Sequence, residues 1–167
     1  RDPEQLAAFL RTRDGRISAL ELARRIHHAP HHARGARDDL VNSFVSMEDL
    51  AVLDGSAWIL ASEIGQLIHA ARGARHAQRF LEHAARSVER MRASTGDLAT
   101  RQALVRQARP LYRSLVHTVA GIAPEELTQA DARRSLMWAG SLKARGLHDL
   151  MSGATRARAP VLRDSFG

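Results

Sequence analysis

A seven-residue repeat occupies the middle of this chain. His-Ala-Ala-Arg begins at residue 69, His-Ala-Gln-Arg at 76 and His-Ala-Ala-Arg at 83. Its basic members, His69, Arg72, His76, Arg79, His83, Arg86 and Arg90, step by three and four residues. So do the apolar and small residues Leu60, Ile64, Leu67, Ala71, Ala74, Leu81, Ala85 and Val88. Both patterns have the period of an α-helix. At about 100° per residue the two stripes lie well over a quarter-turn apart. Ser62–Ser94 therefore reads as one long helix with an apolar seam and a cationic edge. No proline interrupts it, and Gly73 costs only about 1 kcal/mol against alanine.

Composition supports helices around it. Apolar residues make up 44% of the chain, enough for a core, but aromatics only 4%. Alanine and leucine dominate, which favours helix over sheet. The chain has no cysteine, so neither a disulfide framework nor a thiolate metal site is open to it. No apolar run approaches the ~20 residues of a membrane span, and no secretory or transit signature is visible. A cytoplasmic setting is expected. The net charge of +7 points to an anionic partner. Residues 1–61 hold eight arginines against nine acids, a net of −1, and residues 62–167 hold seventeen cations against nine acids, a net of +8. Arginine suits bidentate phosphate contact; a GC-rich genome gives the same arginine skew.

The first sixty residues read as helix, short link, helix, helix and hairpin. Asp2 and Pro3 open a helix to Arg13, which Asp14-Gly15 ends. Ile17 is a link, and Ser18 caps Ala19–Ile26. A third helix spans Ala36–Asp49 with Leu40, Val41, Phe44, Val45 and Met47 inward. Two apolar runs in Leu50–Leu60 flank Asp54-Gly55, a strong hairpin signal. The stretches LAAFLRTRDGRISALELARRI (Leu6–Ile26) and LAVLDGSAWIL (Leu50–Leu60) resemble the opening and the wing of winged helix-turn-helix regulators of the MarR and IclR type. The resemblance covers about a third of the chain. It implies three helices plus a β-hairpin, and a DNA-binding role.

The expected architecture is mainly α: a winged helix over 1–61, a helical bundle over 62–153 built on the long helix 62–94, and a basic tail over 154–167. In the bundle, Leu98–Ile122 is a helix that Pro110 kinks or splits. Thr128-Gln-Ala-Asp131 is a capping signal, and Met137 and Trp138 are expected in the core. Asn42, Ser43 and Ser46, opposite the third helix's apolar side, are the candidates for base edges. Asp38 and Asp39 beside them repel phosphate. Arg34, Arg37, Arg24 and Arg25 are the candidates for backbone contact in the first half; Arg72, Arg79 and Arg86 are those of the long helix.

Little points to catalysis. There is no phosphate-cradling glycine loop, nucleophile elbow or His-Glu-x-x-His. Arg-x-x-x-His at Arg72/His76, Arg79/His83 and Arg113/His117 is shorter than the Arg–His spacing of HEPN-type RNases. His27, His28, His31 and His32 crowd one loop, but Pro30 breaks the helical geometry that a zinc pair needs. The stripe histidines stand about 10 Å apart, too far to share a metal ion. No cofactor or metal is expected. Three functions remain open: a non-enzymatic DNA-binding protein, a homodimer through its helical half; a helical bundle docking an acidic protein or an anionic membrane surface; and a structural oligomer with its basic stripe in solvent.

Overall fold

The computed structural model describes residues 3–28 and 34–140. They form α1 (Pro3–Arg11), α2 (Arg13–His28), α3 (Arg34–Val45), two 3-10 turns (Ala51–Leu53 and Gly55–Ala57), α4 (Trp58–Arg72), α5 (Ala74–Ser94), α6 (Leu98–Ala120) and a last helix, α7, over 129–140. No strand occurs among them.

That overturns the β-hairpin, and with it the winged-helix fold. The reason lies in which residues must be buried. Val52, Leu53, Ala57, Trp58, Leu60, Ala61 and Ile64 all reach the core. Their spacing is helical, and a strand's alternation would expose half of them. Asp54 and Gly55 join two tight turns leading into α4. At the other end, α2 begins before Asp14-Gly15, because the Thr12 hydroxyl accepts the Gly15 amide at 2.9 Å.

The helix expected over 62–94 is also two. At Gly73 (φ +84°, ψ 178°) the chain turns through a conformation that is essentially glycine-only, and α5 folds back along α4. The direction follows from contacts. A Cβ placed on Gly65 would meet Leu81 at 2.7 Å, and these residues lie eight places before and after the turn. His83, Ser87 and Arg90 of α5 gather around Asp54, ahead of α4. The apolar seam is buried as expected, in a hairpin rather than a rod.

On one side of this hairpin sit α1–α3. On the other, α6 returns antiparallel to α5, with the Tyr112 hydroxyl donating to Glu89 and His69 Nδ1 3.2 Å from Thr118 Oγ1. Asp97 caps α6 by accepting the Thr100 amide at 2.7 Å. Pro110 sits on α6's exposed side inside one continuous helix, not at a split. Pro110 has no amide to offer the Arg106 carbonyl, and both residues are exposed. Met137, one residue round α7 from Trp138, is exposed rather than in the core. One buried cluster runs from Ala7 through Leu53, Ile64 and Phe80 to Trp138. Gly65 admits Leu81 into its centre, so Gly65→Ala should overpack that contact and cost about 1–3 kcal/mol. The check is a lower chemical-denaturation midpoint at unchanged m-value.

α7 is tied down through one carboxylate. Asp131 and Thr128 form the expected capping box, with the Thr128 amide 3.0 Å from Asp131 Oδ2 and the Asp131 amide 3.2 Å from Thr128 Oγ1. Arg75 of α5 donates to the same carboxylate at 2.8 Å, and Arg134 joins from α7. These partners, rather than depth, cover it completely. The Thr128 hydroxyl and amide, then the two guanidiniums, hold its pKa far below the ordinary 3.8. A depressed carboxylate stabilises the fold in full above its unfolded pKa and loses that contribution as the pH falls below it. Acidification below about pH 3.8 should therefore weaken the hold on α7 progressively, and release it as the pH falls through the depressed folded-state pKa. In a Trp58→Phe background, Trp138 emission should red-shift before helicity is lost. Asp131→Asn should show that shift at neutral pH. Emission that moves only with global unfolding would exclude this local release.

Candidate functional site

The structure engages most of the expected binding residues internally. Ser43 donates to the Asp39 carbonyl at 2.8 Å and Ser46 to the Asn42 carbonyl at 2.9 Å. Asn42 Oδ1 accepts Arg72 Nη2 at 2.6 Å, so a candidate base reader is joined to a candidate phosphate contact. Arg37 lies against Asp38 at 3.4 Å, and Arg24 stands 3.7 Å from Glu63. Arg25 is exposed on α2. Arg34 opens α3, and its side chain lies outside the described residues, as do His31, His32 and the basic tail.

The stripe on α4 and α5 is partnered along its length. Arg79 Nη2 donates to the carbonyls of Val45 at 2.5 Å, Met47 at 3.2 Å and Phe44 at 3.3 Å, closing the end of α3. His76 contacts the Arg72 carbonyl at 3.1 Å, Arg86 reaches Glu82 at 3.5 Å, and Arg90 donates to Asp54. Arg72, Arg79 and Arg90 thus brace neighbouring elements, whereas Arg86, half exposed, pairs only with Glu82 one turn back on α5.

Asp54, His83 and Ser87 place an acid, an imidazole and a hydroxyl together. Their connectivity is not that of a nucleophile. Ser87 Oγ donates to Asp54 Oδ1 at 3.1 Å and accepts Arg90 Nη2 at 3.0 Å, while His83 Nε2 stands 2.9 Å from the same Asp54 oxygen. The hydroxyl is thus committed to the acid, not to the imidazole that would activate it. Burial is the main reason that the His83 pKa is lowered; Asp54 opposes it, and Arg86 and Arg90 add to it. The cluster clamps the turn before α4 onto α5. No group of three or more metal-ligating side chains forms among the described residues.

A run of exposed cations lies on α6, of which the sequence pattern singled out only Arg113 and His117, as an Arg-x-x-x-His pair. Between Asp97 and Glu125 the chain holds no acidic residue. Arg106, Arg109 and Arg113 are exposed, and none meets a carboxylate among the described residues. At 100° and 1.5 Å per residue they fall within about 60° of arc and about 10 Å of axis, with His117 extending the strip to about 16 Å. The signal was present as an acid-free helix. It was masked by the more regular repeat on α5.

Beside the strip, Gln66, His69, Leu81, Ser114, His117 and Thr118 line a recess of about 140 Å³, below the ~300 Å³ of ordinary small-molecule sites. No large apolar side chain is exposed on α6; those that are, such as Phe9, Ile17 and Leu136, belong to other helices. No helix among the described residues is long and apolar enough to cross a membrane. No protein-family model, curated protein or solved structure matches the chain.

Proposed function

We propose that this chain is a non-enzymatic nucleic-acid-binding protein that holds the phosphate backbone of duplex DNA against α6 without reading its sequence. The observation that carries this is an arginine strip without carboxylate partners among the described residues, on a helix with no acid. Backbone contact asks for no more than such a strip. Base readout asks for free amide or hydroxyl groups, and the hydroxyls of Ser43 and Ser46 are satisfied within α3 while Asn42 holds Arg72.

The character of the strip also argues against its other occupants. A protein interface centres on aromatic or aliphatic anchors, and an interfacial membrane helix buries an apolar face in the lipid. The exposed side of α6 offers neither.

Fluorescence anisotropy on duplex DNA across a salt series tests the reading, with single-stranded DNA, RNA and anionic vesicles as comparators. Three phosphate contacts give log K a slope of about −2.7 against log[salt], or a ~40-fold loss between 50 and 200 mM salt. Scrambling the duplex sequence should change nothing. Absence of duplex binding at low salt, or binding to the vesicles alone, would overturn the proposal.

A further inference from the structure

We infer that the recess between α4 and α6 seats a single phosphate monoester, and that its occupant in a DNA complex is the phosphate at a strand end. The first claim stands apart from the DNA reading; the second rests on it. The recess is lined by Gln66 and His69 of α4, Leu81 of α5, and Ser114, His117 and Thr118 of α6. Five of these six side chains can hydrogen-bond, and none is a carboxylate. Glu82, next to Leu81 in the chain, is turned to Arg86 and Arg134 instead. At about 140 Å³ the recess is too small for a nucleotide. It has room for a phosphoryl group with a few waters, each water's share of liquid volume being about 30 Å³.

The polar groups there are positioned but largely uncommitted. Thr118 is 1% exposed, and its hydroxyl stands 3.2 Å from His69 Nδ1. With that hydroxyl donating to Nδ1, the neutral ring carries its proton on Nε2, where it can donate to a ligand. Neither Ser114 nor His117 makes a side-chain hydrogen bond among the described residues. The Gln66 amide reaches Ser62 only at 3.5 Å, the far limit of such a bond. An acceptor-rich anion would satisfy these groups together. A cation would meet the field of Arg113, next to Ser114, on a helix that has no acid.

Helical phase ties the recess to the arginine strip. Ser114 and Thr118 lie on the flank of α6 between the strip and the packed face, and His117 belongs to strip and recess alike. A phosphate inside a duplex is joined to sugar on both sides and offers two free oxygens and one charge. It can meet the strip, but it stays on the surface of the DNA. A terminal phosphate is joined on one side only and offers three free oxygens. Its charge at pH 7 is about −1.5 to −2. The recess therefore adds contacts that a strand end can make and the duplex interior cannot.

The test uses the full chain and one short duplex, prepared with phosphates at its strand ends and with hydroxyls there. By anisotropy at fixed low salt, the phosphate-ended duplex should bind about tenfold tighter, the size of one hydrogen bond to a charged group. Ser114→Leu, which fills the recess, and Thr118→Val, which removes its buried hydroxyl, should erase that preference and leave affinity for the hydroxyl-ended duplex unchanged. A second measurement needs no DNA. The imidazole NMR signals of His69 and His117 should shift on titration with inorganic phosphate at constant pH and ionic strength, and not with chloride. Imidazole signals that stay still would overturn the seat. Equal binding of the two duplexes, or a preference that survives both variants, would overturn the strand-end occupant while the DNA reading stands. Binding of neither duplex would be the failure of the DNA reading itself, and the phosphate titration would then decide the seat alone.

Discussion

Reversing Arg106, Arg109 and Arg113 to glutamate should eliminate duplex binding at low salt while leaving the thermal midpoint near that of the wild type. These side chains are exposed, without carboxylate partners among the described residues, on a helix whose packed face is Leu104, Ala108, Leu111, Leu115 and Val119. Glutamate is nearly as good a helix former as arginine, and surface substitutions away from specific contacts stay within about 0.5 kcal/mol. The matched set on the hairpin, Arg72, Arg79 and Arg86, should do the reverse. Its reversal would put a carboxylate against the carbonyls that end α3 and another beside Glu82, so it should lower stability first. Any loss of binding there should follow the unfolded fraction. Neutralising the α6 arginines to glutamine should bring the salt slope from about −2.7 toward zero. Undiminished binding by the α6 reversal, with loss confined to a folded α5 variant, would relocate the surface.

The contrast shows what the sequence could and could not disclose. Periodicity located one buried seam of α4 and α5, from Leu60 to Val88, with Ala71 half-buried. It missed Ala61, Gly65 and Ile68 on α4 and Ala77, Phe80 and Ala84 on α5, because neighbours pack on more than one side of each helix. It could not show that the seam closes on itself. That depends on one backbone angle at Gly73, and a single glycine costs a rod too little to announce a turn. The Asp54-Gly55 signal was read as a hairpin from its two flanking apolar runs. Those residues turned out to share one side of a helical path, where tertiary burial overrides local turn chemistry. The capping box at Thr128 and Asp131 was legible, since its geometry is set within four residues. The basic stripe was legible as a pattern but not as a role. A guanidinium on the outside of a helix can face solvent or the end of a neighbouring helix. Only the placement of α3 and Asp54 decides that Arg72, Arg79 and Arg90 do the latter.

Arg79 is the strongest case of that engagement, and Arg79→Met should cost about 2–3 kcal/mol. The guanidinium answers the Phe44, Val45 and Met47 carbonyls at the place where α3 runs out of intrahelical donors. Hydrogen bonds to a charged group are worth about 1.5–3 kcal/mol, and acceptors left in a part-buried site add their own desolvation cost. Methionine keeps much of the apolar stem that lies over Phe80, whose ring centroid is 4.7 Å from the guanidinium carbon, and removes the fork. Arg79→Lys should recover only part of the loss, because a compact ammonium lacks the planar fork that holds these acceptors. Denaturant titration gives the magnitude, and amide exchange over 41–47 gives the place. α3's last turn should open well before the global transition in the methionine variant and less so in the lysine variant. A methionine variant within about 0.5 kcal/mol of wild type, the range of ordinary surface changes, would show that water satisfies these carbonyls as well as Arg79 does, and the hairpin stripe would then lose its structural assignment.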